Sequence, residues 1–185
     1  MKLYLVRHPQ TEIPAGLCYG GTDAAVRPDR LEAAAQSLIE KLPRNVLIYS
    51  SPLQRCAQLA EKLAPLIAGS VPIYDARLAE MHFGNWEMLA WDNIPRAEID
   101  AWAADTVHYR PGGGETVLES AQRILAYAED LRRAAVKEAI IVGHAGTIRL
   151  FLASRYEKNP ERVARISAKY VHSIDFGSCV VIDYE

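Results

Sequence analysis

Short apolar runs alternate along this chain with segments that repeat apolar residues at helical spacing. The runs are short enough for buried strands, and they cover residues 3–6, 46–49, 71–74 and 139–142. Helical patterns cover residues 29–42, 51–65, 96–104, 116–131 and 147–156. This alternation predicts a mostly parallel sheet with helices on both faces, an α/β fold built as a three-layer α/β/α sandwich.

Capping signals refine the bounds of the predicted helices. Ser51 followed by Pro52 predicts an N-cap with proline at the first helical position. Pro65 is expected to end or kink that helix, because proline has no amide hydrogen to donate. Thr116 and Glu119 form a capping-box pattern at the start of the longest predicted helix.

The two irregular parts of the pattern define the domain organisation. Apolar runs at 173–176 and 179–183 flank Gly177-Ser178, which predicts a hairpin that gives the sheet a mixed edge. A hairpin at an edge is compatible with a monomer or with pairing of two chains, so the oligomeric state stays open. With 185 residues the chain is long enough for one sizeable core. We therefore expect a single domain over 1–185, with 77–110 as a small excursion over the active site.

The composition excludes several classes of partner. There are 21 Lys+Arg against 23 Asp+Glu and no basic run, which argues against a nucleic-acid-binding protein. No apolar stretch reaches the ~20 residues of a membrane helix. The N-terminal run lacks a small-residue cleavage site, and the three cysteines show no disulfide pattern. We therefore expect a cytoplasmic protein that binds neither nucleic acid nor membrane.

Cationic residues follow three of the predicted strands. Arg7 and His8 come directly after the first strand, Arg55 lies one helical turn beyond the second, and His144 follows the strand at 139–142. Ligand sites in open parallel sheets lie outside the carboxyl ends of the strands, where these residues would meet. Arginine matches phosphate oxygens bidentately, and a neutral imidazole is a nucleophile near pH 7. A second, cationic histidine would neutralise charge on the phosphoryl oxygens. The pattern predicts phosphoryl transfer, with Glu80 as the general acid for the leaving oxygen.

Other catalytic classes lack their signatures in this sequence. The histidines show neither His-Glu-x-x-His spacing nor a Cys-x-x-Cys partner, and they are His8, His82, His108, His144 and His172. No P-loop pattern occurs, and the glycine run 112–114 follows no clear strand, which argues against a dinucleotide site. We therefore predict no metal site and no cofactor.

Four segments together resemble the histidine phosphatase superfamily, which includes the cofactor-dependent phosphoglycerate mutases. They are residues 5–8, residues 50–55, the acidic segment 80–87, and the motif Gly143-His144-Ala145-Gly146. The resemblance covers nearly the whole chain and implies a phosphoglycerate mutase-like fold. It implies that His8 is the phosphorylated nucleophile and Glu80 the proton donor. By the same resemblance Arg7, Arg55 and the catalytic His144 form the phosphate pocket, Ala145 is a substrate-binding residue, and the two-step reaction needs no metal.

Departures from the usual family pattern indicate a subfamily. Pro9 stands where the family usually has glycine after the nucleophilic histidine, so the local backbone there must differ. Segments 7–11, 16–23 and 80–87 resemble the α-ribazole phosphatases of cobalamin synthesis, which act on α-ribazole 5′-phosphate or adenosylcobalamin 5′-phosphate. That resemblance implies that Tyr19 and His82 line the pocket.

Alternatives to that substrate remain open within and outside the family. A phosphoglycerate mutase-type phosphotransferase needs extra cations for a bisphosphate, whereas 77–110 contains only three basic residues, Arg77, Arg96 and Arg110. The aromatic composition of that stretch favours a small metabolite with one phosphate and an aromatic or sugar body. A broad-specificity small-metabolite phosphatase is compatible with the same residues. A non-catalytic phosphate-binding module is a further alternative, against which the complete residue set argues.

Overall fold

The computed structural model describes residues 1–69, 71–170 and 173–185, so His172 lies outside the described residues. Within those ranges the strands are β1 (Lys2–Arg7), β2 (Ile48–Ser50), β3 (Ile73–Tyr74), β4 (Glu138–Gly143) and β5 (Cys179–Asp183). The α-helices of the same ranges are α1 (Pro28–Ile39), α2 (Gln54–Ile67), α3 (Arg96–Ala104), α4 (Val117–Arg133), α5 (Ala145–Ser154) and α6 (Pro160–Ala168).

The strands form one mixed sheet in the order β3-β2-β4-β1-β5. Neighbouring strands from β3 to β1 run parallel, and β5 pairs antiparallel with β1 at the edge. In the register of β1, Leu5 lies opposite Ile141 on one side and Val180 on the other. The predicted mostly parallel sheet with a mixed edge is confirmed.

Two hydrophobic cores cover the two faces of the sheet. Successive side chains of a strand point to opposite faces, so Leu3 and Leu5 join the core formed with α4, α5 and α6. Tyr4 and Val6 join the core formed with α1 and α2. Each fully buried aliphatic side chain stabilises the fold by about 1.5–3 kcal/mol, which makes this alternation a strong constraint on register. The three-layer α/β/α sandwich is thereby confirmed.

The predicted terminal hairpin is wrong. Residues 173–176 form no strand, and β5 pairs with the first strand of the chain. The backbone of 174–178 instead packs against the end of β1, where Arg7 donates its amide to the Ser178 carbonyl at 3.0 Å. The edge of β1 offers five residue partners to β5, whereas a hairpin with the short run 173–176 offers fewer.

The start and end of α2 also differ from the prediction. The helix begins at Gln54, because Leu53 is extended with φ −63° and ψ 135°. The predicted N-cap at Ser51 is therefore wrong, and the Ser51 Oγ instead accepts the Leu53 amide at 3.3 Å in the turn before the helix. The helix continues past Pro65 to Ile67, whose side chain is buried with the rest of that helix face. Proline so close to a helix end removes only one helical hydrogen bond, and the packing outweighs that loss.

Two further helices complete the comparison with the sequence patterns. The capping box of α4 is confirmed, with the Glu119 amide donating to Thr116 Oγ1 at 3.0 Å and the Thr116 amide donating to Glu119 Oε2 at 2.9 Å. A further helix, α6, was not among the predicted elements, although Asn159 caps it and Pro160 opens it. No helix in the described parts of the chain is long and apolar enough to span a membrane.

Candidate active site

Three neighbouring strands end at one edge of the sheet and bring the candidate residues together. The strands β2, β4 and β1 end at Ser50, Gly143 and Arg7, and the candidate side chains follow each of these ends. A cavity of about 310 Å³ opens there. Its walls include Arg7, His8, Arg55, Glu80, Tyr19, Trp91, Phe176 and residues of the loop 10–17. The convergence predicted from topology is thus present in the structure.

His8 lines this cavity, and only 3% of its surface is exposed. Its Nδ1 is 2.7 Å from the Pro9 carbonyl oxygen, which can only accept, so Nδ1 carries the proton and donates. The lone pair of Nε2 is therefore free to act as a nucleophile. Burial and the positive charge of Arg55 lower the pKa of His8 to about 3, so the imidazole is neutral near pH 7. Pro9, the departure from the family pattern, supplies the carbonyl that holds the ring.

His144 lies beside His8 but is completely buried and does not line this cavity. The two imidazole rings are 5.2 Å apart between centroids. Arg55 Nε donates to His144 Nδ1 at 3.1 Å, so the other ring nitrogen, Nε2, carries the proton and donates to Ser51 Oγ at 2.9 Å. Burial and the charge of Arg55 hold the pKa of His144 well below its usual value. The structure thus contains a neutral His144 in place of the expected cation.

The two arginines are held by backbone carbonyls that leave part of each guanidinium free. Arg55 Nη1 donates to the Thr22 carbonyl at 2.7 Å, and Nη2 donates to the Gly20 carbonyl. Arg7 Nη1 donates to the Ile174 carbonyl, and the Phe176 ring lies 3.6 Å from its guanidinium carbon. The Nε of Arg7 has no hydrogen-bond partner in the described parts of the chain. Since a guanidinium has five N–H donors, both arginines retain donors for an anion in the cavity.

The Glu80 carboxylate is placed against the first turn of α5. Its Oε2 accepts the Gly146 amide at 3.0 Å, and its Oε1 accepts the Met81 amide at 3.2 Å. A Cβ at 146 would lie 2.3 Å from Oε1, so glycine allows the backbone of α5 to approach the Glu80 carboxylate this closely. Glu80 lines the cavity that contains His8 and also a second cavity beside it.

The second cavity has a volume of about 560 Å³ and a largely aromatic and aliphatic wall. Trp91 and Trp102 are stacked, with centroids 6.3 Å apart and planes 8° from parallel. Phe83 meets both rings edge-on at 6.1 Å. These residues belong to 77–110, which thus supplies part of the wall of this larger cavity, beside the cavity that contains His8. Tyr19, Glu80 and Trp91 line both cavities, so the two adjoin.

Of the three remaining residues predicted for the pocket, Tyr19 and Ala145 line a cavity and His82 does not. Tyr19 lines both cavities, and its hydroxyl accepts a hydrogen bond from Thr11 Oγ1 at 3.3 Å. Ala145 opens α5 and lines the larger cavity. His82 is exposed and lines neither cavity; its Nδ1 accepts the Gly84 amide at 2.9 Å. The structure therefore does not bring His82 to the pocket.

Glu87 is a structural element of the site that the sequence analysis did not identify. Its carboxylate accepts backbone amides of Gly20, Gly21, Thr22 and Phe83, at 2.8 to 3.2 Å. Burial raises the pKa of Glu87, but the hydrogen bonds from the Thr22 hydroxyl and from these amides lower it by more. The pKa of Glu87 is therefore below its usual value. The carboxylate thereby fixes the loop whose carbonyls hold Arg55. The sequence shows an acidic residue in the segment 80–87, but it does not show that this residue binds backbone amides more than 60 residues away.

The sequence of this chain is similar to sequences of known phosphatases. The sequence profile of the histidine phosphatase superfamily (branch 1) matches residues 3–179. Over 152 residues the chain is 30% identical to a protein of Hydrogenobacter thermophilus, provisionally named phosphoserine phosphatase 2, covering 80% of this chain and 74% of that protein.

Two solved structures have the same fold over nearly the whole chain. The α-ribazole phosphatase of Shigella flexneri superposes with a TM-score of 0.81 at 25% identity, covering 99% of this chain and 90% of that one. A mycobacterial glucosyl-3-phosphoglycerate phosphatase, solved with VO3, gives a TM-score of 0.79 at 26% identity, covering 98% and 92%.

Proposed function

The chain belongs to the histidine phosphatase superfamily and is a phosphatase, and on this premise we propose that it hydrolyses phosphomonoesters through a phosphohistidine on His8. The observation that carries the proposal is the state of the His8 imidazole. It is neutral, its Nδ1 is held by a carbonyl, and it lies in a cavity whose walls include Arg7 and Arg55. An imidazole so oriented has its nucleophilic nitrogen available without prior loss of a proton.

In the first half-reaction, His8 Nε2 attacks phosphorus and the bond from phosphorus to the alcohol oxygen breaks. Arg7 and Arg55 donate hydrogen bonds to the phosphoryl oxygens and stabilise the charge that they carry in the transition state. Glu80, as the carboxylic acid, gives its proton to the leaving oxygen. Neutral His144 contributes by holding the Arg55 guanidinium in place through Nδ1.

In the second half-reaction, water replaces the alcohol in the site. The Glu80 carboxylate takes a proton from this water as its oxygen attacks phosphorus. The phosphorus–nitrogen bond to His8 breaks, and inorganic phosphate leaves. Glu80 is again a carboxylic acid and His8 is again neutral, so the enzyme returns to its starting state. Neither half-reaction, as proposed, requires a metal ion.

The finer proposal concerns the alcohol part of the substrate. The aromatic wall of Phe83, Trp91 and Trp102 suits a ring or sugar, which supports α-ribazole 5′-phosphate as a candidate. The fold similarity to the Shigella flexneri α-ribazole phosphatase supports the same candidate. The relatives named for phosphoserine and glucosyl-3-phosphoglycerate make those two phosphomonoesters the comparison substrates. The segment 77–110 would cover the alcohol end.

The test is a substrate panel assayed with and without a chelator. We expect release of inorganic phosphate from the three phosphomonoesters above, at rates that excess EDTA leaves unchanged. Loss of activity on chelation would instead indicate a metal enzyme. Phosphoglycerate mutase activity above the phosphatase rate on 3-phosphoglycerate would refute the hydrolase assignment. Equal kcat/KM for all three substrates would refute a dedicated α-ribazole 5′-phosphate phosphatase and leave a broad-specificity enzyme.

A further inference from the structure

Arg149 is a cationic side chain of the larger cavity that the proposed mechanism does not use. It lies on α5 and is half-buried in the cavity wall. It makes no hydrogen bond or ion pair with any other described residue, and its buried Nε has no partner there. Leaving a buried N–H of a charged group without an acceptor is unfavourable. The position therefore suits an acceptor that comes from outside the described chain.

The charges of the cavity wall do not neutralise Arg149. Among the described lining residues Arg149 is the only basic one and Glu80 the only acidic one. The Glu80 carboxylate is directed to the amides of Gly146 and Met81 and forms no ion pair with Arg149. Aromatic and aliphatic side chains form most of the remaining wall. A cation in such apolar surroundings attracts an anion more strongly than a cation in water does.

The helix geometry places this cation next to the reaction site. Gly146, whose amide binds Glu80, and Arg149 are three residues apart and lie on the same face of α5. Helical side chains lean toward the N-terminus, which here is the end of α5 that Glu80 contacts. Glu80, Gly146 and Arg149 line the larger cavity, and Glu80 also lines the cavity that contains Arg7 and His8. A small substrate with its phosphate at His8 thus extends past Glu80 toward Arg149.

We infer that Arg149 binds a second oxyanion, a carboxylate or a second phosphate, carried by the alcohol part of the substrate. The inference rests on the proposed function for the phosphate end of the same molecule. A guanidinium matches either oxyanion with two parallel hydrogen bonds. The substrate class is then a phosphorylated hydroxy acid or a bisphosphate with a ring or sugar body. Of the panel above, this favours glucosyl-3-phosphoglycerate, which has a carboxylate and a sugar, and then phosphoserine, which has the carboxylate alone. Both rank above α-ribazole 5′-phosphate, whose alcohol part carries no anion.

The test uses benzyl phosphates whose leaving groups differ little in basicity and whose rings suit the aromatic wall. The series is benzyl phosphate, its 4-carboxy and 4-carbamoyl derivatives, and 1,4-xylylene bisphosphate. For the wild type we expect kcat/KM for the acid or for the bisphosphate to exceed that for the neutral amide by at least about tenfold, which corresponds to ~1.4 kcal/mol. Preference for the acid identifies a carboxylate site, and preference for the bisphosphate alone identifies a second phosphate site.

The decisive quantity is the ratio of kcat/KM for the anionic substrate to kcat/KM for the neutral amide. Arg149→Gln should bring this ratio to about one. Arg149→Lys should give an intermediate ratio because it keeps the charge and loses the planar fork. The ratio is measured within one preparation, so partial loss of folded protein cancels. Arg133→Gln removes an exposed cation of α4, far from the cavity wall, and should keep the wild-type ratio. A wild-type ratio near one, or an undiminished ratio in Arg149→Gln, overturns the inference. Failure of the wild type to hydrolyse any of these esters would refute the proposed function instead.

Discussion

Replacement of Gly146 by alanine is expected to impair catalysis while leaving the fold intact. The added Cβ would lie 2.3 Å from Glu80 Oε1, 3.0 Å from Cδ and 3.2 Å from Oε2. Ordinary contact for such a carbon begins at 3.4 Å, so the carboxylate must withdraw by about 1 Å. This movement also weakens the hydrogen bond that Glu80 accepts from the Gly146 amide.

The size of the effect follows from that displacement. Misplacing a catalytic group by 1 Å costs on the order of 100-fold in rate, and we expect this loss in kcat/KM for Gly146→Ala. Stability changes little, because alanine favours a helix over glycine by up to about 1 kcal/mol and the weakened hydrogen bond offsets about the same amount. Activity and stability should therefore separate.

The assay is kcat/KM for benzyl phosphate, together with urea unfolding of each variant. The effect should depend on Glu80, so Gly146→Ala in a Glu80→Gln background should add less than about threefold to the loss. It should also be smaller with 4-nitrophenyl phosphate, whose leaving group needs little protonation. A full activity in Gly146→Ala, or equal losses with and without Glu80, would refute the placement of Glu80 as general acid.

Three other predictions concern stability and the support of the site. Thr116→Ala should lower the free energy of unfolding by about 1 kcal/mol in urea titrations, because the α4 capping box loses its acceptor; an unchanged midpoint would contradict this. Glu87→Gln should destabilise the protein by about 2–3 kcal/mol and weaken inhibition by inorganic phosphate, because an amide cannot accept all the hydrogen bonds that the carboxylate does. Unchanged phosphate inhibition would show that the loop does not position Arg55. Burial lowers the pKa of His8 to about 3. Between about pH 6.5 and pH 3 the unfolded chain therefore binds a proton at His8 that the folded chain does not. As pH falls through this range, the free energy of unfolding should fall by up to ~1.4 kcal/mol per pH unit. His8→Gln should reduce that slope, and an identical slope in this variant would contradict the burial effect.

The residues that follow strands were predictable because strands and their ends have local signatures. The apolar runs before Arg7 and before His144 are continuous, and the order of charged residues after them is in the sequence. The capping box at Thr116 was predictable for the same reason, since both partners lie within one helical turn.

Features that depend on distant partners were not predictable. The pairing of β5 with β1 joins the two ends of the chain, whereas the hairpin pattern reports only on neighbouring residues. The neutral state of His144 results from its complete burial and from Arg55, neither of which the Gly-His-Ala-Gly motif reveals. The unpaired state of Arg149 likewise depends on which side chains surround it in the folded chain.

Trapping the phosphoenzyme tests the central claim of phosphoryl transfer through His8 most directly. The protein is mixed with 32P-labelled benzyl phosphate, quenched in alkaline denaturant, digested, and the labelled peptide is identified by mass spectrometry. We predict one acid-labile, alkali-stable phosphoryl group on His8, absent from His8→Ala, which should also lose turnover. Label on a different residue, or continued turnover by His8→Ala, would contradict this account.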